Sequence, residues 1–215
     1  MYASPPLPMP SLSVLIVDGH PLVRLGLSTA VSRQPDMRVA AMAETAARAR
    51  LLFRRHRPDL VLMELRLPDL NGSRLTQALL DEFPEARVVI VSSDDGDESI
   101  HQALQAGAMS YLFKTVAEEE LLHAIREVHA GRRYLPQVVT ARLHEGRDRA
   151  PLTRRETELF DLLGKGLSNR ELGRVLGISE DTVKTHLKSL FRKLDVSDRT
   201  EAVREGLRRG FVQLL

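Results

Sequence analysis

Residues 168–194, SNRELGRVLGISEDTVKTHLKSLFRKL, read as two short helices broken at Gly177-Ile178-Ser179. Ser168 and Glu171 have the spacing of a capping box, which starts a helix by satisfying backbone donors reciprocally. Leu172, Val175 and Leu176 give that helix one apolar face. Gly177 ends it, because glycine takes the left-handed conformation at little cost. Ser179 caps the second helix, and Glu180 and Asp181 sit in its first turn, where negative charge suits the helix dipole. Val183, Leu187, Leu190 and Leu194 recur at helical spacing and are expected to face inward. Lys184, Thr185, Lys188, Ser189 and Arg192 fall on the opposite side. A short basic helix held across a tight turn has the geometry that enters a DNA major groove.

Working outward, Thr153 and Glu156 form a second capping box. It opens a helix that carries Leu159, Phe160, Leu162 and Leu163 and ends at Gly164 and Gly166. Asp198 and Glu201 cap a last helix with Ala202, Val203 and Leu207, followed by Phe211 and Leu214. Residues 151–215 therefore read as an all-α four-helix domain. Residues 132–150 are arginine-rich and irregular, with Pro136 and Gly146 and one brief helix at Val138–His144. They read as an interdomain linker.

The front of the chain has a different rhythm. Apolar runs at Leu12–Val17, Met37–Ala43, Leu60–Met63, Arg87–Val91 and Met109–Phe113 read as strands. Helical patterns fill the gaps: Pro21 to about Arg33, Ala46–Arg55, a segment with Leu75, Leu79 and Leu80 stopped by Pro84, a short segment ending at Ala106, and one opened by Thr115 and Glu118 and stopped at Gly131. Five strands alternating with five helices imply an α/β doubly wound parallel sheet over residues 11–131. In such sheets chemistry gathers at the carboxyl ends of the strands. Asp18, Gly19, Glu64, Ser92 and Lys114 fall there.

Composition fits this division. There are 215 residues, no cysteine, 43% hydrophobic and 28% charged residues. Disulfide and thiolate chemistry are excluded, which is compatible with a reducing cytoplasm. No segment approaches the ~18 apolar residues of a membrane span. The lead at 1–10 is proline-rich, lacks a secretory pattern and is expected to be disordered. The net charge of +2 hides an asymmetry. Residues 11–131 carry 13 Lys+Arg against 17 Asp+Glu, a balance of −4, whereas residues 151–215 carry 13 against 10, a balance of +3. Only the rear suits a polyanion.

Both halves resemble known families. Residues 11–131 resemble a response-regulator receiver domain (flavodoxin-like) through VLIVDGHPLVRLGL, LVLMELRLPDLNG, VVIVSS and YLFK in order. Residues 151–215 resemble the LuxR-type helix-turn-helix through LTRRE, GLSNRELGRVLGISEDTVKTHLKSLFRKL and SDRTEA. Together they resemble the NarL/FixJ class of two-component transcription factors. That resemblance implies double-stranded DNA as partner, Lys184, Thr185 and Lys188 facing base edges, and Thr182, Arg192 and Lys193 placed for phosphates. It also implies a homodimer paired through the last helix on an inverted-repeat operator, with half-sites about one helical turn apart.

The receiver departs from its family where phosphate chemistry occurs. The family has an acidic pair after the first strand and a phosphoacceptor aspartate after the third, with Mg²⁺ bound. Here the pair is Asp18-Gly19 and the acceptor position is Glu64, while Ser92, Tyr111 and Lys114 match the switch residues. Losing a carboxylate weakens a site for an ion that demands octahedral oxygen ligands, so Mg²⁺ binding is expected to be weak or absent. Glutamate also reaches ~1.5 Å further than aspartate, which moves its oxygen off the in-line position that phosphoryl transfer needs. Conventional phosphorylation is therefore not expected. Glu64 either imitates a phosphoryl group by contacting Lys114 or Ser92, or is a passive ion pair. The alternative is a conventional target of a sensor histidine kinase, or a surface for another regulatory protein.

Plainer readings stand beside these. Tyr111 is a switch aromatic or ordinary strand packing. Asp94–Glu98 reads as a solvated loop rather than a metal site. His20, His101, His123 and His186 lack metal-ligand spacing. Leu104, Leu121 and Ile125 on the fourth and fifth helices read mostly as core, the other reading being that the edge of this patch serves dimerisation. No nucleophile–base pair or nucleotide-binding glycine loop points to an enzyme.

Overall fold

The computed structural model describes residues 11–146 and 152–211. The lead at 1–10, the linker end at 147–151 and Leu214 lie outside the described residues. The chain divides into two compact units, Met1–Ser93 with Gln102–Val139, and Asp94–His101 with Thr140–Leu215.

The first unit is built on β1 (Leu12–Val17), β2 (Met37–Ala43), β3 (Leu60–Met63), β4 (Val88–Ser92) and β5 (Ser110–Phe113). All pairings are parallel, in the order β2-β1-β3-β4-β5. Between them in the chain run α1 (Pro21–Ser32), α2 (Ala46–His56), α3 (Gly72–Glu82) and α4 (Asp97–Gln105), whose residues up to His101 belong to the second unit, and α5 (Glu118–His129) follows β5. Side chains alternate across a strand. Val14, Ile16, Leu60, Leu62, Val89, Val91 and Leu112 accordingly form one core with Ala30 and Val31 of α1 and Leu121, Leu122, Ile125 and Val128 of α5. The alternate set, Leu15, Val17, Val61, Met63 and Ile90, is equally buried. Its face meets α3, where the Thr76 hydroxyl lies 3.8 Å from the Met63 sulfur. A sheet buried on both faces needs continuous apolar strands, which is why all six residues of β1 are buried.

Three local expectations shift. The helix after β4 starts at Asp97, inside the acidic stretch, so Asp97 and Glu98 occupy its first turn rather than a free loop. The helix after β5 starts at Glu118 with Ala117 as N-cap and no side-chain cap, so the Thr115–Glu118 capping box does not form. Val116 packs against the core there, and its N–H donates to the Phe113 carbonyl, turning the chain before the helix begins. The expected linker also begins later than residue 132. The Tyr134 N–H donates to the Met109 carbonyl (3.2 Å), bridging the chain to Ser110 on the β5 edge. The brief linker helix is α6 (Gln137–Gly146).

The second unit's core belongs to α7 (Arg154–Gly164), α8 (Asn169–Leu176), α9 (Glu180–Leu194) and α10 (Arg199–Arg209). Both expected capping boxes form, Thr153–Glu156 on α7 and Ser168–Glu171 on α8. Gly177 closes α8 at φ +66°, a conformation that disfavours any side chain. Gly173 sits so close to the turn that a Cβ would lie 2.8 Å from the Ile178 carbonyl oxygen. Leu172, Val183, Leu187, Leu190 and Leu194 are buried with Leu159, Phe160, Leu163 and Ala202, each full burial contributing about 1.5–3 kcal/mol. Val175 departs from its expected place on the inner face of α8. It is 62% exposed, because Leu172 and Leu176 already fill the seam.

Candidate functional site

Two groups of residues carry chemistry, one in each unit. In the first, the parallel strands bring Asp18, Glu64, Ser92 and Lys114 to one end of the sheet, each at or just past the end of a strand. Asp18 is 1% exposed and Glu64 5% exposed. The Lys114 ammonium bridges them, 2.6 Å from Asp18 Oδ2 and 2.5 Å from Glu64 Oε2. Glu64 Oε1 accepts from the Ser92 hydroxyl (2.5 Å) and from the Arg66 backbone N–H (3.0 Å). Asp18 Oδ1 accepts from the His20 backbone N–H (2.7 Å). Burial works against a charged Lys114, but hydrogen bonds to Asp18 and Glu64 outweigh it and raise its pKa above the usual lysine value. The lysine therefore stays a cation locked between two carboxylates.

The chemistry of this donor set decides what the pocket can hold. Gly19 supplies no carboxylate, although its backbone leaves room, since a Cβ would lie 3.4 Å from Pro68. The two carboxylates present are both paired with Lys114, which occupies the space between them. These residues do not fit a Mg²⁺ ion, which needs several free oxygen ligands in octahedral array. Tyr111 is fully buried in β5, edge-on to Phe113 at 6.0 Å.

In the second unit, α9 presents Thr182, Lys184, Thr185, Lys188 and Arg192 on its exposed side. Lys193 is placed differently from the phosphate-facing position expected of it. Its side chain is only 18% exposed and pairs with Glu156 Oε2 at 2.7 Å. The same oxygen accepts from the Thr153 N–H (2.7 Å), and Glu156 Oε1 accepts from the Ser189 hydroxyl (2.9 Å). Glu156 thus caps α7 and fastens α9 to it. Burial opposes its charge, but Lys193, Thr153 and Ser189 together hold its pKa at about 2. Sequence reading found the capping box but not this fastening, which joins residues 33 and 37 positions apart. Two arginines close helix ends in the same way. Arg155 donates to the Leu176 carbonyl (2.5 Å), and Arg199 to those of Leu163 (3.1 Å) and Leu167 (2.7 Å).

At the front of α9, Lys184 Nζ lies 3.1 Å from Asp181 Oδ1 and 3.4 Å from Glu180 Oε1. The Thr185 hydroxyl donates to the Asp181 backbone carbonyl (3.0 Å). Among the described residues, no helix is long and apolar enough to cross a membrane.

Comparison with known proteins agrees with both units. The response regulator receiver domain family matches residues 14–126, and the bacterial regulatory proteins, luxR family, match residues 150–205. Transcriptional regulatory protein DegU of Brevibacillus brevis is 32% identical, covering 94% of this chain and 96% of its own. Transcriptional regulatory protein LiaR of Bacillus subtilis is 34% identical, covering 89% and 94%. Among solved structures, the response regulator ChrA of a heme-sensing two-component system is 34% identical over 94% of this chain and 100% of that one, with a TM-score of 0.59. RcsB, solved as two dimers bound to two parallel DNAs, shares the fold at 19% identity, covering 92% and 98%, with a TM-score of 0.68. The chain belongs to the NarL/FixJ class of response regulators, DNA-binding transcription regulators with a receiver domain ahead of a LuxR-type helix-turn-helix.

Proposed function

We propose that this regulator binds an inverted-repeat operator as a homodimer and that its receiver is set without aspartyl phosphorylation. Lys184, Thr185 and Lys188 read base edges, and Thr182 and Arg192 hold phosphates for register. The observation that carries the receiver reading is the closed Asp18–Lys114–Glu64–Ser92 cluster. Glu64 engages the lysine and the serine at once, the two groups that a phosphoryl group at this position would engage in the family. It does so with about one negative charge, against ~1.5–2 for a phosphoryl group. This favours Glu64 as a built-in imitation of the phosphorylated state over a passive ion pair.

Operator affinities of the wild type, Glu64→Gln and Glu64→Ala test the reading. Both variants are expected to bind more weakly, with Glu64→Ala the weaker; equal affinities would remove the imitation. Incubation with Mg²⁺ and a small phosphodonor is expected to leave the wild type unlabelled. Stoichiometric labelling at Glu64 would return the protein to the conventional phosphotransfer class served by a histidine kinase.

A further inference from the structure

Helix α1 carries two large apolar side chains that nothing among the described residues covers. Leu22 is 82% exposed and Leu25 61% exposed. Gly26 and Thr29 are exposed beside them. These four positions stand at i, i+3, i+4 and i+7, one stripe along the helix. Ala30 and Val31 mark the opposite, buried face. No charge interrupts the stripe, since Arg24 turns back to donate to the Asp18 carbonyl. The Thr29 hydroxyl is engaged within the helix, donating to the Leu25 carbonyl (2.9 Å). Gly26 is the residue that the single chain does not explain. Glycine inside a helix destabilises it relative to alanine. Here its φ is not positive, and a Cβ would meet nothing within 4 Å. Neither backbone conformation nor packing within the chain calls for it.

The stripe is its own complement when reversed. In an antiparallel pair of α1 helices with a two-fold axis between positions 25 and 26, Leu25 of each copy lies over the other's glycine, and Leu22 lies opposite the other's threonine. Large meets small at both steps, as ridges-into-grooves packing requires. The missing Cβ at Gly26 is what admits the leucine. We propose that α1 is a contact between receivers, with a second copy of this chain seated antiparallel across Leu22, Leu25, Gly26 and Thr29. The contact is isologous, the same patch on both copies. Four residues are far fewer than the ~20–30 a side of a stable interface, so the stripe does not hold an independent protein by itself. A second copy bound at the neighbouring half-site is present at an effective concentration that closes even a small contact. The inference rests on the proposed homodimer and gives it a second joint, in the receiver.

The test uses the full chain, which contains no cysteine, and an operator duplex recovered by selection from a randomised library. Gly26→Cys places one thiol at the two-fold axis, within the reach of a disulfide between copies. Mild oxidation is expected to give a covalent dimer on the operator and much less without DNA. Leu51→Cys, equally exposed but on α2, is expected to stay monomeric under the same conditions. Gly26→Ala separates the contact from folding. It is expected to shift the unfolding equilibrium about five-fold toward the folded state, as helix propensity dictates, and yet to weaken operator binding by about three- to ten-fold. Leu25→Lys is expected to weaken operator binding at least as much. Two protomers on the duplex in analytical ultracentrifugation with no cross-link through position 26, or Gly26→Ala binding as the wild type does, overturns the α1 contact and leaves the homodimer standing. One protomer per duplex defeats the homodimer itself, and the contact with it. Should Gly26→Cys lose helix content by circular dichroism, Leu25→Cys, on the other side of the same axis, decides.

Discussion

Glu64 differs from an aspartate by one methylene and Gly19 from an aspartate by a whole side chain, and the two differences cooperate. Glu64 reaches far enough to accept from Ser92 and pair with Lys114. The bare Gly19 leaves Asp18 as the other carboxylate for the same lysine. Packing does not require glycine at position 19. Gly19 has an ordinary backbone conformation, and a Cβ there meets Pro68 at normal contact distance. The paired substitution Gly19→Asp with Glu64→Asp is therefore expected to fold and to restore three carboxylates around one point. Magnesium titration and labelling from a small phosphodonor are expected to turn from negative in the wild type to positive in the pair, with the label at position 64. A pair that still takes neither ion nor phosphate would place the block elsewhere in the pocket. These positions were legible in the sequence because parallel strands deliver their carboxyl ends to one place. The Lys114 bridge was legible only as a possibility, since a side chain's choice between two partners depends on distances that spacing does not encode.

At the scale of elements, α9 is held by packing and by one buried carboxylate. Four apolar residues seat it on the other helices, and Glu156 links it to the start of α7 through Ser189 and Lys193. Because the folded pKa of Glu156, about 2, lies below the ordinary glutamate value of 4.5, its contribution is fully present above about pH 4.5 and is lost as pH falls toward 2. The depression corresponds to about 3 kcal/mol. Denaturant unfolding of the wild type and Glu156→Gln, followed by helix circular dichroism, is expected to show a gap of that order at pH 7. The gap is expected to shrink as pH falls below about 4.5; a constant gap would mean that the glutamine loses packing rather than charge. Strands and helix caps were largely readable in advance because period, glycine and capping chemistry are local. The misreadings share one cause. Thr115 and Glu118 carry a capping pattern, but Val116 between them is drawn into the core. Val175 fits the apolar period of α8, but its neighbours already fill the contact. Lys193 looks like a phosphate ligand, but a carboxylate from a distant helix claims it.

For the whole molecule, charge and the proposed two-fold pairing bear on how it meets DNA. The front half is net acidic and the rear net basic, so the phosphate attraction belongs to the helical unit. In the proposed homodimer, two copies related by a two-fold axis would double the phosphate contacts and place two α9 helices on one face of the duplex, about 34 Å apart. Such an arrangement is rigid in rotation as well as distance. Moving one half-site by about five base pairs turns it to the opposite face of the duplex, whereas about ten base pairs returns it to the same face. Full-length protein titrated onto selected operators with altered spacers is therefore expected to bind the half-turn insertion at least ten-fold more weakly than the native spacing. A full-turn insertion is expected to be hurt through distance alone. Lys188→Gln is expected to weaken the native spacing strongly and to change the half-turn duplex little, because there only one half-site is engaged. Binding that ignores the spacer, with a single protomer per duplex in analytical ultracentrifugation, would replace the two-fold assembly with independent monomers.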